Sequence, residues 1–335
     1  GNKFFAYRPS MIPNKDLGWE ISRTANFGVD FGLWNNRISG YIEGYITKTS
    51  DLLMERTLPF FTGFSKVWQN IGKTENKGIE LNIQANTLKT KSFSWETTVT
   101  FARNWNKITE LLGGGDIRNN SWFIGKPLQV HYNYEMIGVW QLGEEKEAQK
   151  YGAIPGDIKV KDQNNDGSIG ELDKVILGQK DPKIIASLLN SFRFGAFDAS
   201  INLNMNFGSL IHPNTYASLI TRDGLRWMPS NFKYWTPDNP TNEYTRADKL
   251  SGYDPFAGTG GYMKGDYIKI QDITLGYDFS KIMPKNWKIL RARLYAQVRN
   301  LGYIYKACKN DVSPEAPDFD YNIPTTYTMG INIDF

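Results

Sequence analysis

Hydrophobic and polar side chains alternate with a period of two residues over several stretches of this chain. In 197–207 the odd positions are Phe, Ala, Ile, Leu, Met and Phe, and the even positions are Asp, Ser and Asn. Successive side chains of a β-strand point to opposite faces, so the pattern predicts a strand with one apolar and one polar face. The stretch Ile184–Phe194 alternates less strictly, and Gly195-Ala196 between the two predicts the tight turn of a β-hairpin.

The same hairpin pattern recurs along the chain, and it predicts about nine long strands. The other predicted strands are 25–34 and 38–46 around a two-residue turn at Asn35-Asn36, 79–86 and 93–105, 267–279 and 290–299, and 327–335. Several of these strands are predicted to be about eleven residues long, against the usual five or six. That is the length at which a tilted strand crosses a bilayer.

The predicted connections alternate between short and long, so every long loop falls at the same end of the sheet. A loop of roughly 27 residues follows the second predicted strand, and longer irregular segments cover Lys107–Lys183 and Ser209–Gly265. Tight turns at one end and long loops at the other are typical of outer-membrane barrels. The polar face is mainly Asn, Ser, Thr and Gly, which suits a wet lumen. We therefore predict an all-β fold, a transmembrane antiparallel β-barrel, with a soluble β-sandwich as the alternative.

An odd number of strands cannot close such a barrel, because an open edge in lipid leaves backbone groups unpaired. We therefore expect 1–335 to form the C-terminal part of a larger barrel whose N-terminal strands lie upstream. Aromatic residues make up 14% of the chain, while 39 basic and 35 acidic residues give a net charge of only +4. Such a balance predicts no nucleic-acid partner. Cys308, His131 and His212 stand alone in the sequence, and no triad, phosphate loop or zinc signature predicts an enzyme.

One loop has the spacing of a calcium site. The sequence Asp162-Gln-Asn-Asn-Asp-Gly-Ser-Ile-Gly-Glu-Leu-Asp173 places oxygen ligands at positions one, three, five and twelve and glycine at six. The predicted ligands are the side chains of Asp162, Asn164, Asp166 and Asp173 and the backbone carbonyl of Ser168. Asp173 is shorter than the usual Glu, so we expect weak binding. The alternative is a metal-free loop closed by Asx turns.

Two further groups of side chains are candidates for contact with cargo or a partner. Aromatic faces in the third long loop could stack on sugars or anchor a protein, although packing among the loops is the alternative. The aromatic candidates are Trp227, Tyr234, Trp235 and Tyr253. Polar side chains of the strands are expected to line the lumen. They are Asp198, Asn202, Asn204, Asn206, Arg291, Arg293 and Arg299.

Short motifs, none of them specific when taken alone, occur along nearly the whole chain in the order that one protein family shows. They are Leu17-Gly-Trp-Glu20, Asn26-Phe-Gly-Val-Asp-Phe31, Thr49-Ser-Asp-Leu-Leu53, Leu58-Pro-Phe-Phe-Thr-Gly63, Asn70-Ile-Gly72, Asn76-Lys-Gly-Ile-Glu80, Gly156-Asp-Ile-Lys159, Tyr234-Trp-Thr-Pro-Asp-Asn-Pro240, Thr274-Leu-Gly-Tyr277, Asn300-Leu301 and Phe335. Together they resemble the C-terminal barrel region of SusC/RagA-type TonB-dependent outer-membrane transporters of Bacteroidetes. The chain departs from that pattern at Tyr244-Thr-Arg246 and Tyr267-Ile-Lys-Ile270.

The resemblance implies a location in the outer membrane, surrounded by lipid, with extracellular loops. It implies import of large nutrients, oligosaccharides or peptides, with a SusD-like surface lipoprotein and with the TonB complex acting through a plug domain that this sequence lacks. The alternative is a surface barrel that binds glycans or proteins, or an adhesin, without active transport. Calcium is the one cofactor we expect.

Overall fold

The computed structural model describes residues 12–221, 232–247, 256, 258–284, 289–309, 312–318 and 323–334. Most of these residues lie in β-strands. In chain order the strands are β1 (Ile21–Leu33), β2 (Ile38–Thr57), β3 (Lys66–Lys89), β4 (Phe93–Leu111), β5 (Val130–Tyr134), β6 (Met136–Val139), β7 (Ile158–Val160), β8 (Lys174–Gln179), β9 (Ile184–Phe194), β10 (Phe197–Phe207), β11 (Leu210–Ile211), β12 (Met263–Lys264), β13 (Tyr267–Asp278), β14 (Arg291–Lys306) and β15 (Thr326–Asp334). The described residues also form two α-helices, α1 (Glu145–Lys150) and α2 (Asn214–Thr221).

Nine of the described strands form one sheet in the order β1-β2-β3-β4-β9-β10-β13-β14-β15. Neighbouring strands such as β1 and β2, β9 and β10, and β14 and β15 pair antiparallel. The prediction of about nine long strands is therefore confirmed. The remaining strands are short and pair among themselves within the loops, as β11 with β12, β5 with β8 and β6 with β7.

The chain divides into two compact units. The first comprises 1–83 and 100–130, and the second comprises 84–99 and 131–335. In the first unit, strands β1 and β2 pair without interruption from Ile21 with Ser50 to Leu33 with Ile38. In the second unit, β9 and β10 pair over their whole length. Gly195, with φ of +60°, provides the left-handed backbone that the tight turn between them requires.

Several strand boundaries differ from the predicted ones: β1 begins at Ile21 and not at 25, β4 continues to Leu111 and not to 105, and β14 continues to Lys306 and not to 299. Two differences change the connections. The first hairpin turn contains four residues, 34–37, because Leu33 already pairs with Ile38; Trp34, Asn35 and Asn36 all have positive φ. The predicted loop of roughly 27 residues is also wrong, since β2 continues to Thr57 and β3 begins at Lys66. The stretch 47–51 is polar on both faces, so these extensions carry no hydrophobic alternation to reveal them.

Large apolar side chains stay exposed on one face of the sheet, and we call it the outer face. Phe27 on β1 is 76% exposed, Leu275 on β13 is 60% exposed and Met329 on β15 is 76% exposed. A row of exposed apolar residues along strands is the pattern of a wall that faces lipid. Among the helices that the structure describes, none is long and apolar enough to cross a bilayer.

The opposite, inner face is held together by side chains that meet across an intervening strand. In the first unit, the hydroxyl of Tyr45 on β2 donates a hydrogen bond to the side-chain oxygen of Asn104 on β4. Gly78 lies between them on β3, and a Cβ atom there would overlap the ring of Tyr45. Glycine at this position therefore allows the aromatic ring to cover the strand and link its two neighbours.

We predict that Gly78→Ala lowers the free energy of unfolding by about 1–3 kcal/mol, because the ring of Tyr45 must leave its position. The matched control is Gly44→Ala on β2, where the nearest atom to an added Cβ lies 3.9 Å away. Denaturant titration of the folded protein in detergent micelles measures both variants. Equal unfolding midpoints for the two variants would contradict the role given to Gly78.

Candidate functional site

The polar faces of β10, β13 and β14 form a continuous network in the second unit. Arg293 donates two hydrogen bonds to Asp198, from Nε to Oδ1 at 2.8 Å and from Nη2 to Oδ2 at 2.5 Å. This two-pronged pairing fixes both side chains in one plane and is stronger than a single contact. Gly276 on β13 lies between them, and a Cβ atom there would overlap the Arg293 guanidinium. The pair thus spans three strands.

The three asparagines of β10 continue this network toward the loops. Each donates from its side-chain nitrogen to a residue of β13: Asn202 to Asp272 at 3.2 Å, Asn204 to Gln271 at 3.4 Å and Asn206 to the Tyr267 hydroxyl at 2.8 Å. These amides also have acceptor oxygens. A ladder of amides that both donate and accept is suited to hydrated cargo such as peptides or sugars.

Two other predicted lumen residues sit on β14. The Nε atom of Arg291 lies 3.6 Å from a carboxylate oxygen of Asp278, and Arg299 pairs in register with Asp272 and is exposed. Arg291 lines a polar cleft of about 540 Å³ that also includes Arg193, Asp198 and Arg293. The structure therefore brings together Asp198, Arg291 and Arg293, while Arg299 lies apart from them. The lumen role of these seven residues stays a prediction.

A buried ion pair continues the ladder and was missed in the sequence. Lys269 on β13 is 3% exposed, and its Nζ lies 2.7 Å from an oxygen of Glu315 in the loop after β14. The hydroxyl of Tyr303 donates to the same carboxylate at 2.7 Å. This cluster fastens the last long loop to the sheet wall. Its one signal in the sequence was the lysine in Tyr267-Ile-Lys-Ile270. A register shift between Ile270 and Asp272 turns this odd-numbered position to the inner face, where Lys269 lies opposite Asn204.

The aromatic candidates of the third long loop have different surroundings. Trp235 is 6% exposed, and its indole nitrogen donates to the side-chain oxygen of Gln141 at 2.9 Å. Its ring also packs so closely on Gly156 that a Cβ there would lie 2.6 Å from it. Trp235 therefore holds two loops together, as the packing alternative describes. Trp227 and Tyr253 lie outside the described residues.

Tyr234 belongs to a cluster of aromatic rings around one lysine. Its ring centroid lies 6.1 Å from those of Phe232 and Tyr244. The Lys309 ammonium lies 4.9 Å from the centre of the Tyr244 ring, a cation–π distance. Tyr216 completes the cluster beside buried Ile220, Cys308 and Val312. The loops after β10 and β14 thus share a small hydrophobic core, and a binding role for Tyr234 stays a prediction.

The two histidines of the chain lie side by side in the loops. The ring centroids of His131 and His212 are 6.3 Å apart, and Tyr262 stacks on His212 at 4.2 Å. The Nε2 atoms of His131 and His212 lie at hydrogen-bond distance from the Leu210 and Gly260 carbonyls, at 2.9 Å and 3.1 Å. Burial lowers the pKa of both imidazoles. Sequence reasoning treated these residues as isolated because they are far apart along the chain.

The calcium-type loop is closed by its own side chains. The Asp162 carboxylate accepts backbone hydrogen bonds from Asn165 and Gly167, and that of Asp173, which is 1% exposed, accepts from Gln163 and Gly170. Asp166 accepts from the hydroxyl and backbone amide of Ser168, which lowers the pKa of its carboxyl. Within the described ranges, no group of three or more His, Cys, Asp or Glu side chains is placed to hold a metal. The side chains of Asp162, Asn164, Asp166 and Asp173 present oxygen atoms, which are the ligands that Ca²⁺ takes. Calcium binding stays a prediction.

Comparison with known proteins decides the family. The sequence profile described as TonB dependent receptor-like, beta-barrel matches residues 4–301. The chain belongs to this family. The predicted fold class and the resemblance to SusC/RagA-type receptors are thereby confirmed. The family is one of outer-membrane receptors and transporters rather than enzymes.

Relatives in this family are much longer than the chain. It is 27% identical to TonB-dependent receptor P26 of Formosa agariphila, over 98% of the chain and 36% of the relative. It is 28% identical to TonB-dependent receptor SusC of Bacteroides thetaiotaomicron, over 100% of the chain and 34% of the relative. The chain thus spans about a third of the length of these curated relatives.

The same fold occurs in a solved structure. The RagAB peptide importer in its closed-closed state matches 96% of the chain and 36% of its own chain, with a TM-score of 0.77 and 22% identity. The open-open state of the same importer gives a TM-score of 0.72. This likeness shows that the TonB-dependent receptor barrel wall is the fold adopted here.

We predict that calcium at about millimolar concentration, the range of weak extracellular sites, raises the thermal stability of the protein. The double variant Asp162→Asn with Asp166→Asn removes two predicted anionic ligands and is expected to abolish the increase. Asp181→Asn, which removes a nearby exposed carboxylate outside the loop, is the control. Melting curves with calcium and with a chelator measure the effect. A wild-type melting temperature that calcium does not change would leave a metal-free Asx-turn loop.

We predict that the loops carrying the histidine pair loosen as the pH falls below about 6.5, the ordinary pKa of histidine. Because burial lowers the folded-state pKa, the unfolded loops bind more protons, and stability is lost as the pH decreases. Nearby charges act in opposite directions, since Lys180 lowers the pKa of His131 and Asp318 raises that of His212.

Hydrogen exchange at pH 7.5 and 5.5, corrected for the intrinsic pH dependence, tests this prediction. Peptides covering 130–134 and 258–264 should exchange faster at the lower pH in the wild type. The double variant His131→Gln with His212→Gln should lose that difference, while α1 serves as an internal control in both proteins. Unchanged protection of the wild-type peptides at pH 5.5 would contradict the prediction.

Proposed function

We propose that the chain forms part of the barrel wall of a transporter that imports large nutrients across the outer membrane in a TonB-dependent way. The observation that carries this proposal is the match to the TonB-dependent receptor barrel over residues 4–301. The two faces of the sheet support it, because apolar side chains are exposed on one face and amides and ion pairs occupy the other. A wall between lipid and a hydrated lumen needs these two faces.

The cargo we propose is a peptide or an oligosaccharide. Both are large, hydrated molecules rich in hydrogen-bonding groups, and the Asn202–Asn206 ladder and the Asp198–Arg293 pair present donors and acceptors of the same kind. The RagAB relative is named as a peptide importer, which favours a peptide. Sugars would use the same amide groups, so the strand residues fit either cargo.

We infer that the long loops face the cell exterior and meet a SusD-like lipoprotein. The loops after β4, β10 and β14 pack on one another through Trp235 and the Tyr216 cluster, and the Lys269–Glu315 pair fastens the last of these loops to the sheet wall. Such a pre-assembled layer can serve as a stable docking surface for a protein partner. Coupling to the TonB complex would involve regions of the longer relatives that this chain does not span.

Uptake measured in whole cells tests the proposal. A strain lacking the gene is compared with the same strain carrying the full-length gene, using a fluorescent decapeptide and a fluorescent oligosaccharide as probes. We expect one of the two probes to enter the periplasm only in the complemented strain. Collapse of the proton-motive force with an uncoupler should stop this entry, because TonB-dependent transport consumes that energy.

The uncoupler also distinguishes transport from adhesion. A surface-binding barrel or adhesin would retain the probe at the cell surface to the same extent with and without the proton-motive force. Energy-independent retention combined with no probe in the periplasm would therefore overturn the import proposal in favour of this alternative.

A further inference from the structure

A basic patch lies on the outer face of the first unit, at the end of the strands that carries the long loops. Tyr45 and Asn104 mark the inner face, so the odd-numbered residues of β4 up to 109 point outward. The register places Arg23 of β1 opposite Lys48 of β2, next to the outward pair Ala25 and Ile46. The basic patch consists of Arg23, Lys48, Lys73, Lys77 and Lys107.

The patch begins where the apolar band of the outer face ends. In four neighbouring strands, a basic residue stands two positions from an apolar one on the same face, on the side toward the long loops. The four pairs are Arg23 with Ala25, Lys48 with Ile46, Lys77 with Ile79 and Lys107 with Trp105. Ile79 and Trp105 are 47% and 44% exposed. The cations thus form a row at one level, where hydrocarbon would give way to headgroups.

One sheltered carboxylate organises the centre of the patch. The side chain of Glu75 is 11% exposed and lies 3.2 Å from Lys77, 3.2 Å from Lys107 and 3.9 Å from Lys48. Those three lysine side chains remain 54%, 48% and 70% exposed. A single carboxylate cannot neutralise three ammonium groups, and each ammonium has three hydrogens to donate. The lysines are therefore oriented by Glu75 and still offer charge to the surroundings.

The edges of the patch add a second acid and an exposed arginine. Lys73 pairs with Glu110 at 2.7 Å. Within the described part of the chain, the exposed Arg23 makes no ion pair or side-chain hydrogen bond. A groove of about 630 Å³ runs along Arg23, Lys48, Lys73 and the carboxylate of Glu75, and it reaches the apolar side chains of Ala25 and Ile46. The groove therefore joins cationic donors directly to a hydrocarbon surface.

We propose that this groove binds the phosphate of a membrane lipid headgroup, with the lipid chains lying along the apolar band beneath it. A phosphate on a lipid matches both parts of the site, because its charge meets Arg23 and Lys48 while its tails cover Ala25 and Ile46. A purely solvated charged surface would not need its cations aligned at the end of an exposed apolar band. The bound lipid would fix the height of the wall in the bilayer, whatever cargo the transporter carries.

Lipid binding to the purified full-length protein in detergent tests this proposal without measuring transport. Short-chain phosphatidylglycerol, short-chain phosphatidylcholine and inorganic phosphate are titrated and followed by native mass spectrometry. We expect the wild type to bind phosphatidylglycerol in preference to phosphatidylcholine, because the choline cation is repelled by the basic patch. The double variant Arg23→Gln with Lys48→Gln should bind phosphatidylglycerol about 30-fold more weakly, at ~1 kcal/mol for each charge and 1.4 kcal/mol for each tenfold change.

Two controls make the result decisive. Lys15→Gln with Lys126→Gln removes the same charge from exposed positions of the first unit outside the patch and should leave lipid affinity unchanged. Arg23→Lys with Lys48→Arg keeps the charge and should bind like the wild type, which excludes an effect of misfolding. Equal affinities of the charge-removing variant and the wild type would overturn the proposal. So would displacement of the lipid by equimolar inorganic phosphate, since the tails would then contribute nothing.

Discussion

The structure depends on the need to pair every backbone hydrogen-bonding group in a wall that faces hydrocarbon. Water is absent from the bilayer core, so an unpaired N–H or C=O there costs several kcal/mol. An antiparallel sheet in which each strand pairs with the next along the sheet order satisfies this requirement. Once the backbone is fixed in this way, side chains alone must distinguish the two faces, and the alternation of the sequence supplies that distinction.

The inner face gains its rigidity from contacts that skip a strand. Tyr45 reaches Asn104 across Gly78 in the first unit, and Asp198 reaches Arg293 across Gly276 in the second. In each case a glycine removes the side chain that would otherwise separate two polar partners. Polar side chains of the inner face are thus fixed by one another and not by a hydrophobic core.

The sequence predicted the strands where the two faces differ in polarity. The hairpin from Ile184 to Phe207 and the β1–β2 pairing follow directly from period-two alternation. The extensions of β2 to Thr57 and of β3 from Lys66 were not predictable in that way, because 47–51 is polar on both faces and the apolar residues at 52–54 and 67–68 are consecutive and do not alternate. Once a strand leaves the hydrocarbon, water contacts both faces, and the physical cause of the alternation disappears.

In the candidate site, strand periodicity assigns side chains to a face but does not identify their partners. Asp198 and Arg293 could be assigned to one face because strand periodicity fixes direction, but their pairing depends on which strands are neighbours. The burial of Trp235 against Gly156 and the Lys269–Glu315 pair join residues that are distant along the chain. Periodicity carries no information about such contacts. The contacts of the loops depend on the positions of the strands that each loop connects. Once those positions are known, a buried lysine on a strand is the residue that says most about loop packing. Its charge must be compensated, so it identifies the loop that folds back onto the wall.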